Sequence, residues 1–172
     1  MATEHLDADQ DADVTRAAEL LKRGRVVAFP TETVYGLGVR ADSREALARL
    51  RRVKQRPVGK KFALLVASLE QAASWGELNG AARRLAEHFW PGPLTLVVPD
   101  GKGGDVGLRC PDCAVTRRLV GLTGVPVAAP SANLSGQPPA CSAQEVLDVF
   151  GGHSGQADQP PGHRAIRAAQ PH

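Results

Sequence analysis

Arg25-Val26-Val27-Ala28-Phe29-Pro30-Thr31-Glu32-Thr33-Val34-Tyr35-Gly36-Leu37-Gly38, residues 25 to 38, runs from an apolar stretch straight into a polar loop. Consecutive apolar residues halted by a proline read as a buried strand over Arg25 to Phe29. In open α/β sheets ligands gather where loops leave the carboxyl ends of strands. Two threonine hydroxyls, a carboxylate, a phenol and two glycines equip the loop from Pro30 to Gly38 to hold a small polar ligand. An ordinary capped turn is the plainer use of the same residues.

Outward from this strand, apolar residues recur at helical spacing. Val14, Ala17, Ala18 and Leu21 lie between Asp13 as N-cap and Gly24 as C′ residue, which predicts a first helix. Asp42 and Glu45 form an acidic variant of the capping box, opening a helix with Ala46, Leu47, Leu50 and Val53 inward. Phe62 to Ala67 reads as a strand, Ser68 to Trp75 as a short helix, and Asn79 as the cap of a helix stopped by Pro91-Gly92-Pro93. Leu94 to Val98 and Val106 to Arg109 read as strands across a Gly-rich turn, Ala114 to Leu122 as a helix and Val125 to Ala129 as a strand. Ser142 and Glu145 cap a last helix ending near Phe150. Alternating strands and helices with short joints predict one α/β domain over residues 13 to 150, and the hairpin around 94 to 109 makes its sheet mixed.

The ends read differently. Residues 1 to 12 carry Glu4, Asp7, Asp9 and Asp11 with no lysine or arginine, which predicts a solvated, mobile leader. Residues 151 to 172 offer Ile166 as their one large apolar side chain among glycines and prolines, so an irregular tail that adds no core strand is expected. His153, His163 and His172 fit no compact metal-ligand spacing. With 172 residues, 42% hydrophobic and 4% aromatic, the core is built from Ala, Val and Leu. No apolar run approaches the roughly 20 residues of a membrane span, and the amino terminus has no basic and apolar signal regions, so a cytoplasmic protein is expected.

Charge is concentrated. Arg44, Arg49, Arg51, Arg52, Lys54, Arg56, Lys60 and Lys61 face the single acid Glu45 within 18 residues. Such a stretch asks for an anionic partner. Lys54-Gln55-Arg56-Pro57 is its densest part: a lysine point charge and an arginine fork can hold polyphosphate oxygens, and both side chains are expected to face solvent at a helix end. A solvated basic helix end is the plain alternative. Ser131 and Asn133 follow a strand and offer a hydroxyl and an amide to phosphate, ribose or a metal-bound water, or simply form a turn. Arg109, at a strand end, has the geometry of a carboxylate clamp.

Other patterns exclude chemistry. Gly36-Leu37-Gly38-Val39-Arg40-Ala41 matches the dinucleotide pattern, but the glycines start well after the strand and the region about 20 residues on is basic, not acidic. No P-loop pattern occurs, so a triphosphate must be held without one. Cys110 and Cys113 lack a second ligand pair for zinc and read, with Cys141, as free thiols.

FPTETVYGLG (29 to 38), KQRP (54 to 57), WPGPLTLV (90 to 97), VGLRCPD (106 to 112) and PVAAPSANLSGQPP (126 to 139) together resemble, in order and spacing, the YrdC/Sua5 family in its short, single-domain form. The resemblance implies a twisted mixed sheet with flanking helices around a basic concave site. It implies threonylcarbamoyl-adenylate synthesis from L-threonine, bicarbonate and ATP with Mg²⁺, releasing pyrophosphate. A separate threonylcarbamoyl transferase complex then modifies tRNA next to the anticodon. Lys54, Arg56, Ser131 and Asn133 map to the ATP site, with Lys54 and Arg56 as the catalytic pair. Thr31 and Arg109 map to the threonine side, with Thr33 and Tyr35 beside them; no protein metal ligand is implied. Two rivals use the same fold: a non-catalytic module binding tRNA or double-stranded RNA, and a related carbamoyl-adenylate-forming protein. The elements that usually follow the family's last helix are not recognisable in residues 151 to 172, which leaves one side of the nucleotide site open in this reading.

Overall fold

The computed structural model describes residues 3–151 and 163–167. Along the chain come β1 (Glu4–Asp7), α1 (Asp11–Lys22), β2 (Val26–Phe29), β3 (Gly36–Arg40), α2 (Arg44–Lys54), β4 (Leu64–Leu65), α3 (Leu69–Ala73) and α4 (Gly80–Phe89). Then follow β5 (Leu96–Pro99), β6 (Asp105–Arg109), α5 (Ala114–Thr123), β7 (Val127–Ala128), α6 (Ala143–Phe150) and β8 (His163–Arg167). The strands make one sheet in the order β1-β8-β2-β3-β7-β4-β6-β5. Parallel pairs (β1 with β8, β8 with β2, β4 with β6) mix with antiparallel ones, as the hairpin signal predicts.

Alternation along β2 shows why the sheet is covered twice. Val26 and Ala28 join the core under α2, α3, α4 and α6, whereas Val27 and Phe29 join the core under α1 and α5. A side-chain period of two sends neighbours to opposite faces. Serine and asparagine start the helices where the sequence indicates: the side chains of Ser68, Asn79 and Ser142 accept N–H bonds from Gln71, Ala82 and Glu145. α2 differs. Its cap is Ser43, which accepts from Ala46 N–H, while Asp42 is held by Arg40 at 2.6 and 2.8 Å. The fork of Arg40 outcompetes the helix amides for that carboxylate.

Glycines 36 and 38 are also placed differently from the loop expected. They lie in β3, opposite Phe29 and Val27 of β2. The Phe29 ring lies across them: a Cβ on Gly36 would be 2.7 Å from Phe29 Cε2, and one on Gly38 would be 2.7 Å from Phe29 Cε1 and 2.6 Å from Val127 Cγ1. The glycines make room for an aromatic ring rather than for a ligand. Gly38→Ala is therefore expected to lower the unfolding free energy by about 1–3 kcal/mol, the usual cost of overpacking. Denaturant titration measures this, and an unchanged midpoint would show that the ring has room to move.

Both end readings need correction where the structure describes them. Glu4–Asp7 is a strand, with Leu6 5% exposed in the α1 core and Glu4 paired to Arg16 at 3.2 Å. One inward leucine and a partner backbone suffice for a strand this short, which acidic composition does not register. His163–Arg167 forms β8, parallel between β1 and β2, against the expectation of no added strand. Strand pairing draws on backbone N–H and C=O groups, so a shortage of large apolar side chains does not forbid it. The remaining tail expectations, on 152–162 and 168–172, and those for residues 1 and 2, lie outside the described residues.

Candidate functional site

The last turn of α2 builds one half of the site. Ala46, Leu50 and Lys54 are its buried residues, four apart on one face, and Lys54 is only 2% exposed. Its Nζ donates to the backbone oxygen of Ser131, to Asn133 O at 2.6 Å and to Asn133 Oδ1 at 3.0 Å. An ammonium has three protons, and these three oxygens take them all. The loop answers in kind: Ser135 N and Oγ both donate to Lys54 O, at 3.1 and 3.0 Å. Ser131 Oγ donates to Asn133 Oδ1 at 2.6 Å, and Asn133 Nδ2 to Gln137 O at 2.7 Å. Lys54 thus fastens the Ser131–Asn133 loop from within, and the expectation of a solvent-facing lysine is corrected. The four-residue spacing from Ala46 and Leu50 is the signal that carries this orientation in the sequence.

Gln55 takes a left-handed conformation (φ 51°) that ends α2 and turns the chain, so Arg56 leaves on a different heading from Lys54. Arg56 is half-buried, donates from Nη2 to Lys61 O at 2.9 Å, and lies 5.1 Å from the Phe62 ring centre. Its Nε is buried with no hydrogen-bond partner among the described residues. A buried cationic donor in that state is suited to an anionic oxygen.

Burial, and after it the Arg56 charge, push the Lys54 ammonium from its ordinary 10.5 down to about 8. Between those two values the unfolded chain keeps a proton that the folded chain has released, so this group makes unfolding free energy rise with pH there. Lys54→Met is expected to remove that rise, read as the difference in pH slope between the two proteins' unfolding free energies. Identical slopes would place the titration elsewhere.

The other half of the site gathers at the end of β6. Arg109 Nη2 donates to Glu32 Oε1 and, at 3.3 Å, to Thr33 Oγ1, while Nε donates to Gly92 O at 3.3 Å. Among the described residues Nη1 has no acceptor, so its two donors stay open. Sequence reasoning placed Glu32 in the loop without seeing it as the partner of Arg109; a separation of 77 positions carries no spacing signal. Thr31 Oγ1 donates to Val34 O at 2.6 Å and accepts from the N–H groups of Thr33 and Val34, so it shapes the turn. Tyr35 is buried, and its backbone ties it to the segment after β7: Tyr35 N donates to Ala140 O at 2.9 Å and Ala132 N to Tyr35 O at 2.7 Å. Gly36 bridges Ser131 in antiparallel fashion. The loop between β2 and β3 therefore touches both halves, Arg109 through Glu32 and Thr33 and the Ser131–Ala140 segment through Tyr35 and Gly36.

A family model described as telomere recombination, which covers the Sua5, YciO and YrdC proteins, matches residues 19–156. The chain belongs to the Sua5/YciO/YrdC family. Among its relatives, the threonylcarbamoyl-AMP synthase of Pyrococcus abyssi is 42% identical over 79% of this chain and 43% of its own length. That of Chromohalobacter salexigens is 40% identical over 84% of this chain and 82% of its own length. The crystal structure of P. abyssi Sua5 complexed with L-threonine superposes with a TM-score of 0.86 at 34% identity, covering 99% of this chain and 51% of that one. The chain thus spans about half the length of the Pyrococcus protein.

Within this Sua5/YciO/YrdC domain, the structure brings Lys54, Ser131 and Asn133 into one hydrogen-bonded group and Thr31, Thr33 and Arg109 into another. Cys110, Cys113 and Cys141 are free thiols. Among the described residues no three His, Cys, Asp or Glu side chains converge as metal ligands, and no helix is long and apolar enough to cross a membrane.

Proposed function

We propose that the chain condenses L-threonine, bicarbonate and ATP into threonylcarbamoyl-AMP and pyrophosphate. The supporting observation is the β2–β3 loop, which joins an arginine with open donors to the lysine-fastened Ser131–Asn133 loop, with the charge of Arg56 and its orphaned buried Nε beside that lysine. That arrangement sits in a domain about 40% identical to enzymes named for this product. Arg109 takes the threonine carboxylate through Nη1, with Thr31, Thr33 and Tyr35 shaping the wall around it. Arg56 takes phosphate oxygens, and Ser131 and Asn133, held in place by Lys54, border the nucleotide.

The threonine amine adds to CO₂ released from bicarbonate and gives up a proton, forming a carbamate. A carbamate oxygen then bonds to the α-phosphorus as the bond to pyrophosphate breaks. No covalent enzyme intermediate is needed, and the chain's own work is orientation and charge stabilisation. Mg²⁺, if bound with the nucleotide, would supply neutralisation of part of the triphosphate charge beside Arg56. The product then passes to a separate transferase complex that modifies tRNA, while direct tRNA or double-stranded RNA binding would fall to exposed Arg44 and Arg52 of α2.

The test is incubation of the purified chain with ATP, labelled bicarbonate and L-threonine. Threonine-dependent pyrophosphate release and a labelled nucleotide are expected. Pyrophosphate without label, or neither, overturns the assignment.

A further inference from the structure

A cavity lies on the flank of α2, lined by none of Lys54, Arg56, Ser131, Asn133 and Arg109. A cleft of about 510 Å³ opens between α2, the turn after α3 and the β5–β6 hairpin. That volume lies within the range of small-molecule pockets. Its walls are fixed parts of the core: Phe62 is 8% exposed, and Leu47 and Trp75 pack against the same cluster. Trp75 is set by its neighbour. A Cβ on Gly76 would lie 2.6 Å from Val98 Cγ2 and 3.0 Å from Leu108 Cδ1, so glycine lets this turn press onto β5 and β6, and Glu77 N–H fastens it to Pro99 O at 2.8 Å.

The charged rim points to one class of occupant. Its two acids are already engaged, Asp105 with Lys61 Nζ at 3.0 Å and Asp100 Oδ1 with the N–H groups of Lys102 and Gly104 at 2.8 and 2.9 Å. Arg51 is not. Its guanidinium lies 5.1 Å from the Phe62 ring centre, and its Nε is buried with no hydrogen-bond partner among the described residues. A buried donor beside a cavity lacks only an acceptor, and the adjoining aromatic walls favour a flat apolar body.

We propose that this cleft binds a small amphipathic anion, with an aromatic or apolar body between Trp75 and Phe62 and a carboxylate, sulfonate or phosphate on Arg51. The cleft is coupled to the site across the Phe62 ring. Arg51 and Arg56 both stack on Phe62 at 5.1 Å, and Arg51 lies one helical turn before Lys54 on α2. An anion that draws Arg51 off the ring changes the ring's contact with Arg56, and ATP affinity with it. The binding itself is independent of the proposed activity; the coupling rests on Arg56 serving the nucleotide.

The experiment uses the full chain and the probe 1-anilinonaphthalene-8-sulfonate, an aromatic sulfonate, read by energy transfer from tryptophan. One saturable site is expected. Arg51→Gln should weaken it about tenfold, Arg51→Lys less because the charge remains, and Trp75→Ala should remove most of the transfer, with thermal midpoints recorded for each. Saturating ATP should shift the probe's affinity without displacing it. Unchanged probe affinity in Arg51→Gln overturns the site, and complete displacement by ATP assigns the probe to the nucleotide site and overturns it too. None of these readings requires adenylate formation, so a failure of the proposed activity is distinguishable from a failure of the cleft.

Discussion

Lys54→Ala is expected to lower the unfolding free energy by about 2–4 kcal/mol and to abolish most adenylate formation. Alanine leaves Asn133 O facing a cavity without a donor and takes the charged donor from Ser131 O and Asn133 Oδ1, which keep only Asn133 N–H and Ser131 Oγ. Buried acceptors stripped of a charged partner carry such costs. The loss of activity follows from the loop, because Ser131 and Asn133 are no longer held in one geometry. Arg56→Ala is the contrast. Its side chain is partly exposed and bonds one backbone oxygen, so stability should change by less than about 1 kcal/mol, while kcat/KM for ATP falls about 100-fold. Urea titrations and pyrophosphate release on both variants separate the roles. Equal stability losses in the two variants would show that Lys54 does not fasten the loop.

Arg109→Ala is expected to raise the threonine requirement about 100-fold with the ATP requirement within about threefold, since a charge-assisted clamp on a carboxylate acts on one substrate only. The substitution also leaves the Glu32 side chain, 19% exposed, without its cation, and that carboxylate would then repel the threonine carboxylate. The double variant Arg109→Ala with Glu32→Gln should recover part of the lost threonine affinity. Equal effects of Arg109→Ala on both substrates would remove the clamp from the mechanism.

Much of this arrangement is legible in the sequence where the signal is local. The strand at Val26–Phe29, the caps Ser68, Asn79 and Ser142, and the placement of Ser131 and Asn133 just after a strand all follow from residue order over a few positions. What stays hidden depends on contacts across the chain. Gly36 and Gly38 look like loop glycines because nothing nearby says that Phe29 needs the space over β3. Lys54 looks exposed because charge suggests solvent, although its four-residue spacing from Ala46 and Leu50 points inward; long-range oxygens 77 and 79 residues away decide the matter. β1 and β8 escape composition because their pairing is made by backbone, which composition does not count.

The position of β8 between β1 and β2 sets an order in time. β1 pairs with β8 and with no other strand among the described residues, and their partners are about 160 positions apart, as in Glu4 with Arg164. A chain is synthesised from its amino end, and contacts that close long loops form slowly. β1, synthesised ahead of the other described strands, is thus among the last to gain its hydrogen bonds. Until β8 arrives, α1 and β2 must assemble beside an unfilled slot, and Leu6 waits without the neighbouring backbone that holds its strand in register. Nascent chains stalled before residue 163 should therefore show β1 amides open to exchange while those of β2 facing β3 are already protected.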